Sequence, residues 1–255
     1  MSLGKGHSAV RAQKRPRLSD GQPWQKLEFF PTPPWATRAL PDVVLPMLGV
    51  NRDLGVIWEP CAGLRHMADP LSDYGYVLAT DIHLYSSALD VERLDFLAGD
   101  RDSLQHSSWI ITNPPFTLAA QIVRRALCIA AEGVAMLLRL QWLESGERFK
   151  LFSETPPSLV AIFSERVPMC EGGWDPALST ATAYAWFVWV RGDDGWPKPA
   201  PDGVRFNTAL IPPVCKATLS RPSDVRLAAR FMPGWIAPST IKTAGRDQGA
   251  LDLIV

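Results

Sequence analysis

Asn113-Pro114-Pro115-Phe116 is the stretch of this sequence whose residue types point most directly to chemistry. An amide side chain carries one acceptor oxygen and one donor nitrogen. Two prolines fix φ and remove two backbone donors, so the carbonyl of Pro114 is directed without an intrachain partner of its own. The ring of Phe116 can stack on a flat surface. A side-chain oxygen and a fixed carbonyl can accept the two hydrogens of a planar amino group while the ring covers the plane that carries it. The plainer reading is a rigid loop with a packed phenylalanine. The apolar run Trp109-Ile110-Ile111-Thr112 comes before and a helix-like stretch after. That places the motif at the carboxyl end of a strand, where open α/β sheets bind ligands.

Two further turns carry suggestive residues. Glu59-Pro60-Cys61-Ala62-Gly63 follows the apolar Val56-Ile57-Trp58. Gly63 would let the backbone approach a ligand, with a helix N-terminus next to it; the same string also serves as an ordinary turn. Asp81 ends the run Tyr76–Thr80, 22 residues after Glu59. An acid there can accept hydrogen bonds from both hydroxyls of a ribose, or simply cap a helix. His66 reads more readily as a polar residue facing a pocket or a helix surface than as a catalytic base.

The elements that must position these turns alternate between strand and helix. Structure is expected to begin near Leu27–Phe30, with Thr32 capping a helix that opens on Pro33-Pro34 and breaks near Pro41 or Pro46. Leu64 to Asp73 reads as a helix, and a short strand is expected near Arg93-Leu94. Between residues 117 and 132, Ala119, Ile122, Val123, Ala126 and Ile129 recur at helical spacing. Val134 to Leu140 is nearly all apolar, as in a strand covered on both faces. Leu159–Phe163 and Ala183–Val190 are strand-like with no helix between them, only a Gly- and Pro-containing loop. They predict an antiparallel pair closing an otherwise parallel sheet. Right-handed crossovers would make the whole a doubly wound α/β fold.

Bulk properties set the frame. The chain has 255 residues, enough for one large domain or two small ones. Its 47% hydrophobic content allows a sizeable core. No apolar run approaches the ~18 residues of a membrane span, and the N-terminus lacks a secretory pattern. Cys61, Cys128, Cys170 and Cys215 are too scattered for a CxxC zinc site or a disulfide framework. A reducing cytoplasm, no metal and no membrane partner are the expectations. Net charge is zero, yet residues 1–22 and 204–246 are both basic. Two basic ends around an acidic body suit a polyanion partner; a solubilising tail and a solvated surface would give the same count.

Taken together, these motifs resemble those of the S-adenosylmethionine-dependent DNA adenine (N6) methyltransferases, and more narrowly the small phage and prophage type, over roughly residues 27–190. Phe30-Pro31-Thr32-Pro33 resembles the family's upstream element beside the methionine part of the cofactor. Glu59, Pro60, Cys61 and Gly63 resemble its Gly-rich cofactor turn, Asp81 with Ile82 its ribose-binding acid, and Asp95-Phe96 the element flanking the cofactor's adenine. Asn113, Pro114, Pro115 and Phe116 resemble the catalytic motif. The resemblance implies a Rossmann-like class I methyltransferase fold, with a seven-stranded, mostly parallel sheet ending in an antiparallel strand. It implies S-adenosyl-L-methionine as cofactor and DNA as partner. The implied layout is a basic arm over 1–22, a catalytic domain over 23–195 and an irregular, Pro-rich basic extension over 196–255. Relatives usually carry a second glycine where this chain has Arg65, a departure that puts cofactor affinity in question.

The resemblance also implies a mechanism in which adenine is flipped out of the duplex, stacked on Phe116 and held by Asn113 and Pro114. RNA adenine, DNA cytosine or a protein glutamine would present a similar planar nitrogen, and a catalytically decayed nucleic-acid-binding homologue is a further alternative. The candidate DNA contacts are Val167–Thr182, including Trp174, then Trp142–Lys150 and the basic stretch 204–246. So small a recognition region implies a short site or relaxed sequence preference.

Overall fold

The computed structural model describes residues 27–98 and 107–239. The proposed basic arm, and Lys242 and Arg246 of the second basic stretch, lie outside the described residues.

Eight strands form one sheet: β1 (Val56–Glu59), β2 (Tyr76–Asp81), β3 (Glu92–Arg93), β4 (Trp109–Thr112), β5 (Gly133–Arg139), β6 (Leu159–Phe163), β7 (Tyr184–Val190) and β8 (Asn207–Ile211). Their order is β3-β2-β1-β4-β5-β7-β6-β8. All neighbours run parallel except β7, which is antiparallel to both β5 and β6. This is the Rossmann-like layout of the class I methyltransferase fold. The strand order reverses between β1 and β4, so the turns after Glu59 and Thr112 open side by side at the ligand-binding edge.

The strands are apolar on alternate residues toward two separate cores. Ile57, Trp109, Ile111, Ala135, Leu137, Trp186 and Val188 pack with Trp35 and Leu40 on one face. Trp58, Ile110, Val134, Met136, Leu138, Phe187 and Trp189 pack with Ile122, Val123 and Phe152 on the other. Helices therefore cover both faces, which is why β4 and β5 read as unbroken apolar runs rather than alternating ones. The second face is covered by α3 (Ala119–Ile129) and α4 (Gly146–Glu154), the latter capped by the Ser145 hydroxyl accepting from the Arg148 N–H.

Several sequence expectations are revised. Helix α1 (Pro34–Ala39) is preceded by Pro33, whose carbonyl accepts from the Ala36 and Thr37 N–H groups; Thr32 makes no cap. Pro41 does not break the helix. Lacking an N–H, it loosens the winding to a π turn over Leu40–Val44, followed by a 3-10 turn over Leu45–Leu48. The helix after β1 shrinks to α2 (Ala68–Leu71), because most of residues 62–67 form turns around Gly63. The segment beyond Trp196 is not wholly irregular: β8 extends the sheet beside β6, so the sheet has eight strands and β7 lies inside it. Helices α5 (Cys215–Leu219) and α6 (Val225–Ala228) follow. A buried ion pair fastens them to α1. Arg38 Nη1 and Nη2 meet both oxygens of Asp224 at 2.9 and 2.7 Å, and Nη1 also donates to the Leu219 carbonyl.

Candidate active site

A cleft opens at the switch point, where open α/β sheets bind ligands. Its wall includes Phe30, Thr32, Glu59, Pro60, Cys61, Gly63, Asp81, Ile82, Asp95, Phe96, Asn113 and Pro115. Three turns separated by tens of residues in the sequence thus line one space. Pro33, Pro114 and Phe116 lie outside that wall: Pro33 serves α1, and Pro114 is buried.

The cofactor-turn residues are held by backbone geometry. Gly63 sits at φ +53°, and an added Cβ would come within 2.5 Å of the Phe29 ring. Only glycine fits the conformation and the close approach together. The Gly63 N–H donates to one Asp81 carboxylate oxygen at 2.9 Å, and the His83 N–H donates to the other at 2.9 Å. Asp81 therefore staples the first turn to the end of β2. Each oxygen keeps a further lone pair for a hydroxyl. Burial pushes its carboxyl above the usual range, and these N–H bonds pull it back. Ile82, 54% exposed, offers an apolar wall beside it.

Glu59 is 2% exposed. Burial raises its carboxyl well above the carboxylate range; Arg65 pulls it down, while Asp81 and Asp69 push it up. Its Oε2 has no hydrogen-bond partner. An orphaned buried polar atom on a cleft wall is costly and fits a polar ligand group that would satisfy it. His66 also lines the cleft and is a weak base. Burial lowers it to about 4, and its Nε2 lies 2.9 Å from the Leu227 carbonyl. A carbonyl can only accept, so Nε2 carries the proton and Nδ1 is a bare acceptor.

Arg65 occupies the position where a glycine was expected, and its φ of +64° is the left-handed value that favours glycine. The side chain leaves the cleft. Its Nε donates to Asp69 at 2.7 Å and Nη1 to the Asp90 carbonyl, while Arg230 holds the other Asp69 oxygen. The turn keeps its glycine-like course and the bulk points away from it.

The Asn113 turn has a defined polarity. Nδ2 donates to the Phe30 carbonyl at 2.9 Å and to the Thr32 hydroxyl at 3.1 Å, with Met169 Sδ at 3.7 Å. Because the Phe30 carbonyl can only accept, the amide nitrogen must face it, and Oδ1 is turned the other way. Among the described residues no backbone N–H donates to the Pro114 carbonyl. Neither Asn113 Oδ1 nor the Pro114 carbonyl thus has a hydrogen-bond donor among the described residues, Asn113 lying on the cleft wall and Pro114 buried behind it. Thr32, expected as a cap, is instead one of the two groups that orient Asn113.

Sequence reasoning missed three residues here. Glu28, on the cleft wall, accepts from the N–H groups of Phe116 and Thr117 and so locks the turn. Phe29 lies on Gly63 and also accepts, through its carbonyl, from Gly172 N–H at 3.0 Å. Arg139 places its guanidinium carbon 3.9 Å from the centre of the Phe116 ring. It could have been found as the one charge in an otherwise apolar strand. Trp174, by contrast, is 5% exposed and packed rather than presented to a substrate. The neighbouring Asp175 accepts from Ala177 and Ser239 N–H groups, tying that loop to the C-terminal segment.

No protein-family model and no curated protein sequence matches this chain. Solved structures similar to it include a type I restriction-modification methyltransferase subunit from Streptococcus thermophilus, at 10% identity and TM-score 0.46, covering 66% of this chain and 50% of that one. A protein from Pyrococcus horikoshii assigned as an RNA methyltransferase gives 15% identity and TM-score 0.48, covering 69% and 93%. Magnesium protoporphyrin IX methyltransferase from Synechocystis PCC 6803, solved with bound SAM, gives 12% identity and TM-score 0.40, covering 62% and 80%. The chain spans half the length of the restriction-modification subunit. These are distant overall likenesses, and the chemistry of this chain rests on its own residues.

Proposed function

We propose that this protein is an S-adenosylmethionine-dependent methyltransferase acting on the exocyclic amino group of adenine in DNA. The reading rests above all on the orientation of Asn113, whose nitrogen is engaged by Phe30 and Thr32 and whose oxygen is left to accept. With the Pro114 carbonyl it would receive the two hydrogens of a planar amino group beside the ligand cleft.

The cleft suits the cofactor. Asp81 would take the ribose hydroxyls, Ile82, Asp95 and Phe96 would flank the adenine, and Gly63, Glu59 and Phe30 would meet the methionine end. When bound, the cofactor supplies an electrophilic methyl group on a sulfonium. The protein's own residues supply access and orientation. Phe116 would stack the base. Asn113 Oδ1 and the Pro114 carbonyl would draw on the amino hydrogens, turn the nitrogen lone pair toward the methyl, and stabilise positive charge developing on nitrogen. Asn113 does not accept a proton; His66 is too weakly basic to hold one at neutral pH, so the proton would pass to water after transfer.

The basic stretches of the chain favour a nucleic acid over protein, and the placement of Phe30–Pro33 ahead of the cofactor turn, as in the DNA methyltransferases it resembles, favours DNA. Asn113→Ala is the test. The expected result is a loss of turnover of about 10²–10³ with cofactor binding by calorimetry retained. Near-normal turnover would remove the basis of the assignment.

A further inference from the structure

The guanidinium of Arg139 lies over the ring of Phe116, 3.9 Å from its centre, and 5.8 Å from the centre of the Phe30 ring. Phe30 and Phe116 are themselves in tilted contact at 5.4 Å. Arg139 closes β5, which pairs with β4 on one side and β7 on the other. The sheet therefore delivers it to the turn that begins after Thr112. Its strand partner Tyr184 also hydrogen-bonds the guanidinium through its side chain. Among the described residues no carboxylate forms an ion pair with Arg139. Its Nε is buried and makes no hydrogen bond.

A planar, amino-bearing cation at stacking distance covers the surface that a flat base would need. Phe116 is also absent from the wall of the open cleft. Building on the proposed function, we propose that Arg139 is a positioning residue that holds the place of the substrate base. It rests on Phe116 when no base is bound and turns to the phosphate of the incoming nucleotide when the base takes that face. Cation–π contacts and base–aromatic stacking are of the same order, so the base can displace the guanidinium. The contact with phosphate replaces what the guanidinium gives up, since a guanidinium fork matches a phosphate in a bidentate manner. Arg139 would thereby favour a base carried on a phosphate backbone over a free one.

Adenosine and adenosine 5′-monophosphate separate this from a simple buttress. Both would be titrated by ligand-observed NMR into the full chain saturated with S-adenosylhomocysteine, which keeps them out of the cofactor cleft. The wild type is expected to bind the monophosphate more tightly than adenosine. Arg139→Ala is expected to raise adenosine affinity roughly three- to tenfold, because the face is vacated, and to abolish the preference for the monophosphate. Arg139→Lys, which keeps charge but loses the planar stack, should raise adenosine affinity while keeping that preference. Weaker adenosine binding in Arg139→Ala, or an unchanged preference, would overturn the placeholder role and leave the base-binding turn standing. Adenosine binding that Phe116→Ala does not weaken, or its absence in every variant, would instead overturn the base-binding reading and this proposal with it.

Discussion

Thr32→Val tests whether Asn113 acts through its orientation. The substitution exchanges a 2% exposed hydroxyl for a methyl of nearly the same shape. It removes one of the two oxygen acceptors on Asn113 Nδ2 and leaves the Phe30 carbonyl at 2.9 Å, with the weaker Met169 Sδ contact at 3.7 Å. Turning the amide over in the wild type would cost both hydrogen bonds, about 2 kcal/mol at ~1 kcal/mol each. The reversed amide would then be populated at about 3%. With one acceptor left the cost is ~1 kcal/mol, and the reversed form rises to roughly 15%. The productive form therefore remains dominant, and kcat at saturating cofactor should fall by less than about twofold. Stability should suffer more, because an N–H is left unpaired at a partly buried site, at about 1–3 kcal/mol. For a domain of this size that is a fall in Tm of about 2–4 °C per kcal/mol. Labelled-methyl transfer and thermal denaturation on the same preparation would measure both. A hundredfold loss of kcat in Thr32→Val would refute the reasoning, because the hydroxyl would then be acting on substrate rather than on Asn113.

Other consequences follow from the same geometry. Glu59 has a folded pKa raised by burial, so its contribution to the unliganded protein's stability is fully present below its unfolded value and is lost as pH rises through the folded one. Glu59→Gln should flatten that decline in pH-dependent melting curves; an unchanged profile would contradict the assignment. Asp224→Ala leaves Arg38 buried without its partner and should destabilise the fold by about 3–5 kcal/mol in denaturant titration, whereas a surface-like loss under 1 kcal/mol would mean the pair is hydrated. Arg65→Gly should leave cofactor affinity within about threefold, because the side chain already points away; a tenfold gain by calorimetry would show that Arg65 crowds the turn.

The central strands were legible because helices cover both faces of the sheet. That burial makes Trp109–Ile111 and Val134–Leu138 apolar on every side, and few other arrangements tolerate such runs. Strand β8 was not legible. It is an edge strand with Asn207, Thr208 and Leu210 exposed, and prolines follow it, so neither alternation nor an apolar run marks it. The positions of Gly63, Asp81 and Asn113 around one cleft followed from strand order alone, since each residue ends or follows a parallel strand. What sequence could not supply were partners distant along the chain. Glu28 reaches Phe116 across 88 residues and Thr32 reaches Asn113 across 81; no local pattern encodes either pairing. Arg65 illustrates the converse. Its identity put cofactor affinity in question, and only its φ and its bonds to Asp69 and Asp90 reveal that the side chain points outward and the backbone kept the glycine course.

The most direct test of the account is to identify the methylated product. The full chain would be incubated with methyl-labelled S-adenosylmethionine and, in parallel, duplex DNA, RNA and protein, followed by digestion to nucleosides or amino acids. The account predicts label in N6-methyldeoxyadenosine from the DNA, lost in Asn113→Ala. Label confined to RNA, to cytosine or to glutamine, or no transfer at all by a protein that binds the cofactor, would contradict it.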